Sequence, residues 1–192
     1  MSRSVAVCSV FCLLMFGAAF AAPAPVHMAN GIKIGESTQT RAIVWTRLTE
    51  APERNKDGFP FPEIETSRKA ADLSVSEICG GHPLDEMKCS VPGAPGEVRI
   101  VWWVAGAPGE KWSTGWNAVD VDKDYTHQSV LGNLTPGTEY AVLVEGRPAG
   151  VEEPTCSVDG RFRTPPAPDT VKPIRFMVVT CQDYPRRDDP EN

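Results

Sequence analysis

The sequence predicts an all-β protein built as a sandwich of two antiparallel sheets, and three observations carry that reading. Apolar residues recur with a period of two in "RAIVWTRL" (Ile43, Trp45), "EVRIVWWV" (Val98, Ile100, Trp102, Val104) and "EYAVLVEG" (Tyr140, Val142, Val144). Gly/Pro clusters at 92–96, 105–109, 136–137 and 146–150 separate these runs. No stretch of ten residues or more repeats with helical spacing. Strands of this kind bury one face each, and short strands between such turns bury those faces against one another as two packed sheets.

Composition bounds the function. The 192 residues are 41% hydrophobic and 23% charged, within the range of a globular protein, and carry a net charge of −6. That balance offers no basic patch for nucleic acid or an anionic membrane. We expect a monomer.

At the N-terminus, Arg3 precedes the apolar run 5–20, and Ala19-Phe20-Ala21 supplies the small-x-small pattern of a cleavage site. Residues 1–21 therefore read as a signal peptide cut near Ala21–Ala22, sending the protein to a secreted or periplasmic location. The run falls short of the about 18 apolar residues a bilayer span needs, so no stable membrane anchor is expected. Export removes Cys8 and Cys12 and leaves Cys79, Cys89, Cys156 and Cys181 where disulfides form. Cys79 and Cys89 bracket the Gly/Pro-containing "GGHPLDEMK", and we pair them. A bridge over so short a loop contributes about 2–3 kcal/mol. His27, His82 and His127 have spacings that match no zinc site and read as ordinary surface or packing residues.

The sandwich is expected over 29–164, longer than the roughly 100 residues such domains use. The excess lies at about 50–97 and reads as an insertion stapled by the Cys79–Cys89 bridge and packed on the sandwich. In "LGNLTPGTEYAVLVEG", Leu134 precedes a Pro-Gly turn and Tyr140 opens the next strand, where its hydroxyl can bond back to the upstream backbone. This tyrosine corner resembles the fibronectin type III pattern, and the resemblance places Trp45 as the core tryptophan of the second strand. "DGRFRT" is the last sandwich strand, with Phe162 inward, and 165–173 is a stiff Pro-rich linker.

Two further strings are weak. Asp120-x-Asp122-x-Asp124 begins like a calcium loop, but Tyr125 stands where glycine is needed and Leu131 where the bidentate glutamate is needed. Asn133-Leu134-Thr135 is a glycosylation sequon whose middle residue reads as core.

After the linker, "IRFMVVT" (174–180) looks like a strand buried on both faces, which the completed sandwich has no place for. It is expected to open a second domain over 174–192. Ligands gather at the carboxyl ends of such strands, where Cys181, Gln182 and Asp183 fall, and a thiolate there is a natural metal ligand or nucleophile. Arg186 and Arg187 read as solvated surface.

The order signal peptide, "GIKIGESTQTRAIVWTRL", "LTPGTEYAVLVEGR", "GRFRTPP" and "IRFMVVTCQDY" resembles the secreted PhoD-like alkaline phosphatases, in which a fibronectin-like domain leads into a metallophosphatase domain. "GESTQT" departs from that family's usual "SGDP". The resemblance implies that Cys181 ligates iron, that calcium ions complete the site, and that the substrate is a phosphate mono- or diester. It also implies that this chain is the leading portion of such an enzyme, inactive alone and holding no metal stably, because the family's later ligands have no counterpart before Asn192. Two alternatives stay open. A purple acid phosphatase-like enzyme also sets a fibronectin-like domain first but calls for an aspartate at position 181. A stand-alone extracellular fibronectin-like binding module has no use for the strand after the linker.

Overall fold

The computed structural model describes residues 23–63, 73–173 and 175–179. Its strands are β1 (Ile32–Gly35), β2 (Ala42–Arg47), β3 (Glu97–Val104), β4 (Trp112–Ser113), β5 (Asn117–Ala118), β6 (Thr126–Leu131), β7 (Glu139–Arg147) and β8 (Cys156–Arg163). One sheet runs β1-β2-β6, the other β4-β3-β7-β8 with β5 beside β3, and every pairing is antiparallel. The protein is an all-β, fibronectin type III-like sandwich.

Alternation produces this architecture directly. In β3 and β7, paired from Glu97↔Arg147 to Val104↔Tyr140, the inward residues Val98, Ile100, Tyr140, Val142 and Val144 are buried. They meet Ala42 and Val44 of β2 and Leu131 of β6 in one cluster. Each fully buried Val, Leu or Ile contributes about 1.5–3 kcal/mol relative to exposure, so these few positions hold the sheets face to face. Tyr140 closes the corner: its hydroxyl accepts a hydrogen bond from the Thr135 amide at 2.8 Å. Gly146 lies under Cys156, Leu48 and Met28, with side-chain atoms 2.8–2.9 Å from where a Cβ would stand.

The structure corrects four sequence expectations. Trp45 is not a core residue. Ala42, Val44, Thr46 and Leu48 take the inner face of β2 and its continuation, all fully buried, while Ile43 and Trp45 point outward. Thr46 can lie inside because its hydroxyl donates to the Gly31 carbonyl at 3.1 Å. Trp45 instead lies under the Lys33 ammonium, 6.0 Å from the ring centroid. The core also begins before residue 29, since Val26 and Met28 belong to it and His27 bridges Thr49.

The third correction concerns the insertion. Cys79 and Cys89 are free thiols, not a disulfide. Each is held by its own backbone bonds: Cys79 caps the short helix α1 (Val75–Ile78) and donates to the Val75 carbonyl, whereas Cys89 has φ +72 and donates to the Asn55 carbonyl. Backbone pairing takes the place of the staple. Phe59 donates to Glu86 and accepts from Lys88, and Gly58 lies so close that a Cβ there would stand 2.5 Å from the Glu86 carbonyl oxygen. Met87 and Cys79 are fully buried yet stand outside the sandwich cluster, so the insertion has a small core of its own.

The fourth correction falls on the expected terminal strand. Residues 175–179 form no strand, and Phe176, Met177, Val178 and Val179 are 75–86% exposed. With no neighbouring strand among the described residues to bond, the segment has none of them to bury against. Ile174, Thr180 and Cys181, like the signal peptide, lie outside the described residues.

Candidate functional site

Two constellations stand out where the sandwich brings together residues distant in sequence. The first is an aromatic pocket. The inward face of β3 carries Trp102 to the sheet's rim, and register places it opposite Trp112 of β4. Their rings stack 6.3 Å apart at 30°, Trp112 lies 6.4 Å from Tyr140, and Tyr140 stacks on Phe162 at 5.5 Å. Between these rings and the turn before the tyrosine corner opens a cavity of about 250 Å³, lined by Trp102, Trp112, Ser113, Gly132, Asn133, Leu134 and Tyr140. No charged side chain lines it. The turn exists because Asn133 takes φ +55, a left-handed conformation that asparagine tolerates better than most residues.

The second constellation lies on the outer face of β3 and β7. Trp116 is clasped by two guanidinium groups, Arg147 at 3.9 Å and Arg99 at 4.6 Å from its ring. Both arginines are also ion-paired across the strands, Arg99 to Glu145 at 2.7 Å and Arg147 to Glu97 at 2.9 Å. The resulting row is charge-balanced and internally satisfied, so it braces the sheet. Trp103 on the same face carries the Lys111 ammonium 4.7 Å above it.

The sequence-predicted candidates disperse. Cys181 lies outside the described residues. His27 sits in a backbone bridge, His82 stacks on Phe59 at 3.7 Å, and His127 contacts the Ser129 hydroxyl at 2.7 Å. Burial pushes the His127 pKa down and the Cys156 thiol pKa up. Asp120 caps a 3-10 turn by accepting from the Asp122 amide, and Asp124 is bidentate to Arg47. Among the described residues no group of three or more His, Cys, Asp or Glu side chains is arranged to hold a metal. They do not fit the iron and calcium that the family resemblance implies, and no metal-assisted step is derived from them. Among them, too, no helix is long and apolar enough to cross a membrane.

Sequence reasoning placed Trp102 and Tyr140 inward but missed the pocket. Trp112 and Asn133 reach it through strand register and a left-handed turn, and only the "WSTGW" pair of tryptophans signals an unusual local concentration of rings.

No protein-family model and no curated protein matches the chain by sequence. Solved structures of similar shape include one described as PhoD, at 16% identity and a TM-score of 0.45, matched over 81% of this chain and 22% of that one. Another is the sensor domain of the anti-sigma factor RsgI4 of Pseudobacteroides cellulosolvens, at 14% identity and 0.39, over 77% of this chain and all of that one. A third is the fn3 domain of human collagen alpha-1(XX), at 17% identity and 0.36, over 83% and 97%. None of these likenesses carries an argument about function.

Proposed function

We propose that this sandwich is the leading, non-catalytic module of a secreted, metal-dependent phosphoesterase of the PhoD-like kind, acting on phosphate mono- or diesters. The observation that carries the reading is the segment after the sandwich. Just after β8, Thr164 donates its hydroxyl to the Thr135 carbonyl, a Pro-rich stretch follows, and four consecutive large apolar side chains then stand in solvent. Exposed apolar runs of this kind call for a partner. The order of sequence strings resembling that family supplies the identity of the partner, a metallophosphatase domain, with Cys181 as its first iron ligand and calcium completing the site.

Hydrolysing a phosphate ester requires several ligands around each ion to polarise the phosphoryl group and activate water. One cysteine does not suffice, so the chain as it stands is expected to turn over neither p-nitrophenyl phosphate nor its bis ester. Reading the coding region past Asn192 is expected to reveal further Asp, Asn and His ligand motifs. A stop codon directly after Asn192, or metal-dependent turnover by this chain alone, contradicts the proposal. A stand-alone extracellular binding module is the second reading, favoured by the aromatic pocket.

A further inference from the structure

We infer that the pocket between Trp102, Trp112 and Tyr140 is a binding site for a neutral carbohydrate, taking one pyranose unit of a glycan. The inference is independent of the phosphoesterase reading.

Charge narrows the ligand first. With no ionised side chain in its lining, the pocket offers no counter-charge, so an anion finds no partner, a cation finds only the ring faces, and a neutral molecule enters without losing a counter-charge. Size narrows it next. At about 250 Å³ the space lies below the roughly 300–1,000 Å³ of pockets that enclose drug-sized ligands, which suits a single saturated ring.

Chemistry then separates a sugar from other rings. Trp112 remains 36% exposed although it belongs to a strand, so a large aromatic face is presented to solvent at the pocket mouth. Beside it stand two polar groups with capacity to spare. The Ser113 oxygen accepts from the Gly115 amide at 3.1 Å, which leaves its own proton to donate. The Asn133 carboxamide has no hydrogen-bond partner among the described residues and is held at the rim by its left-handed backbone. A pyranose presents an apolar C–H face to an aromatic ring and hydroxyl groups around its edge, matching both features at once. A prolyl residue has the apolar face but offers only its carbonyl acceptor, whereas a pyranose hydroxyl both donates and accepts and so can use the Asn133 carbonyl as well as its amide. Leu134, 4% exposed, is the buried apolar member of the lining, and the Tyr140 hydroxyl, which accepts from the Thr135 amide, keeps its own proton to donate just as Ser113 does.

The test uses the full chain made in a host without N-glycosylation, because Asn133 heads an Asn-Leu-Thr sequon and a glycan there would cover the rim. Methyl β-glucopyranoside, cellotetraose, maltotetraose, mannotetraose and chitotetraose are added at millimolar concentration, with saturation-transfer NMR and tryptophan fluorescence as readouts. At least one saccharide is expected to receive saturation and to quench fluorescence. Trp112→Ala abolishes both, and Asn133→Gly, which keeps the left-handed backbone and an unchanged melting temperature, weakens binding about tenfold. Absence of transfer to every saccharide overturns the inference. So does binding unaffected by Asn133→Gly, or binding of the peptide Pro-Pro-Ala-Pro-Asp in the pocket with no saccharide bound.

Discussion

Arg47 is the residue whose removal reports most on how this sandwich holds its insertion. Its Nε donates to the Asp124 carbonyl at 3.1 Å and to the Asp124 carboxylate at 2.9 Å, and its Nη2 donates to the same carboxylate at 2.8 Å. Nη1 donates to the Asn30 side chain at 3.2 Å and to the Val91 carbonyl at 3.0 Å. One guanidinium therefore ties β2 to the turn before β1, the end of the insertion and the left-handed turn before β6. The Arg47 side chain is 12% exposed and that of Asp124 70%. Solvent screens the ion pair as such, which contributes no more than about 1 kcal/mol. The larger share belongs to the bonds to backbone and Asn30, where hydrogen bonds to a charged donor contribute about 1.5–3 kcal/mol each but do not add fully. Arg47→Ala is accordingly expected to cost about 2–3 kcal/mol. Asp124→Asn, which keeps an acceptor and suits φ +52, is expected to cost under about 1 kcal/mol. Urea unfolding followed by tryptophan fluorescence measures both. A cost for Arg47→Ala within about 0.5 kcal/mol of zero, or an equal cost for the two variants, refutes the reasoning.

Three other perturbations separate the corner, the insertion and a half-buried imidazole. Tyr140→Phe removes the acceptor of the Thr135 amide while keeping the ring, and is expected to lower stability by about 1 kcal/mol in the same urea assay; no change contradicts the corner's role. Gly58→Ala places a Cβ 2.5 Å from Glu86 and Lys88 backbone atoms, so hydrogen exchange is expected to show lost protection at Phe59 and Lys88 with the β3–β7 amides unaffected. Burial lowers the folded-state pKa of His127, so the unfolded chain binds the proton first as pH falls below about 6.5. Its contribution to stability is complete above that pH and declines from there toward the folded pKa. His127→Gln is expected to flatten this part of the curve, and identical pH profiles for variant and wild type would contradict the assignment.

Legibility in the sequence followed the strength of local pattern. β3 and β7 were readable because four large apolar residues alternate in one and three in the other, and Tyr140 because a Pro-Gly turn fixes its position after Leu134. The face of β2 was misread because its bulkiest residues, Ile43 and Trp45, point outward, while a satisfied threonine and an alanine point in. Length and charge of a side chain override size here: Lys33 lies over the half-buried indole. The insertion was opaque because its order comes from backbone pairing between Phe59 and the 86–88 segment, which has no sequence period. Arg47's partners at 30, 91 and 124 are assembled only by the fold. The pocket was hidden for the same reason, since Trp112 reaches it through strand register and Asn133 through a left-handed turn.

The proposed role stands most directly on the metal content of the product encoded when the coding region is read past Asn192. Purified without added metal, that product is expected to carry iron and to hydrolyse bis-p-nitrophenyl phosphate. Cys181→Ser replaces a soft thiolate ligand with a hydroxyl and is expected to lose the iron and most turnover, with the melting transition of the sandwich unchanged. Iron content and turnover that both survive Cys181→Ser would contradict the phosphoesterase assignment.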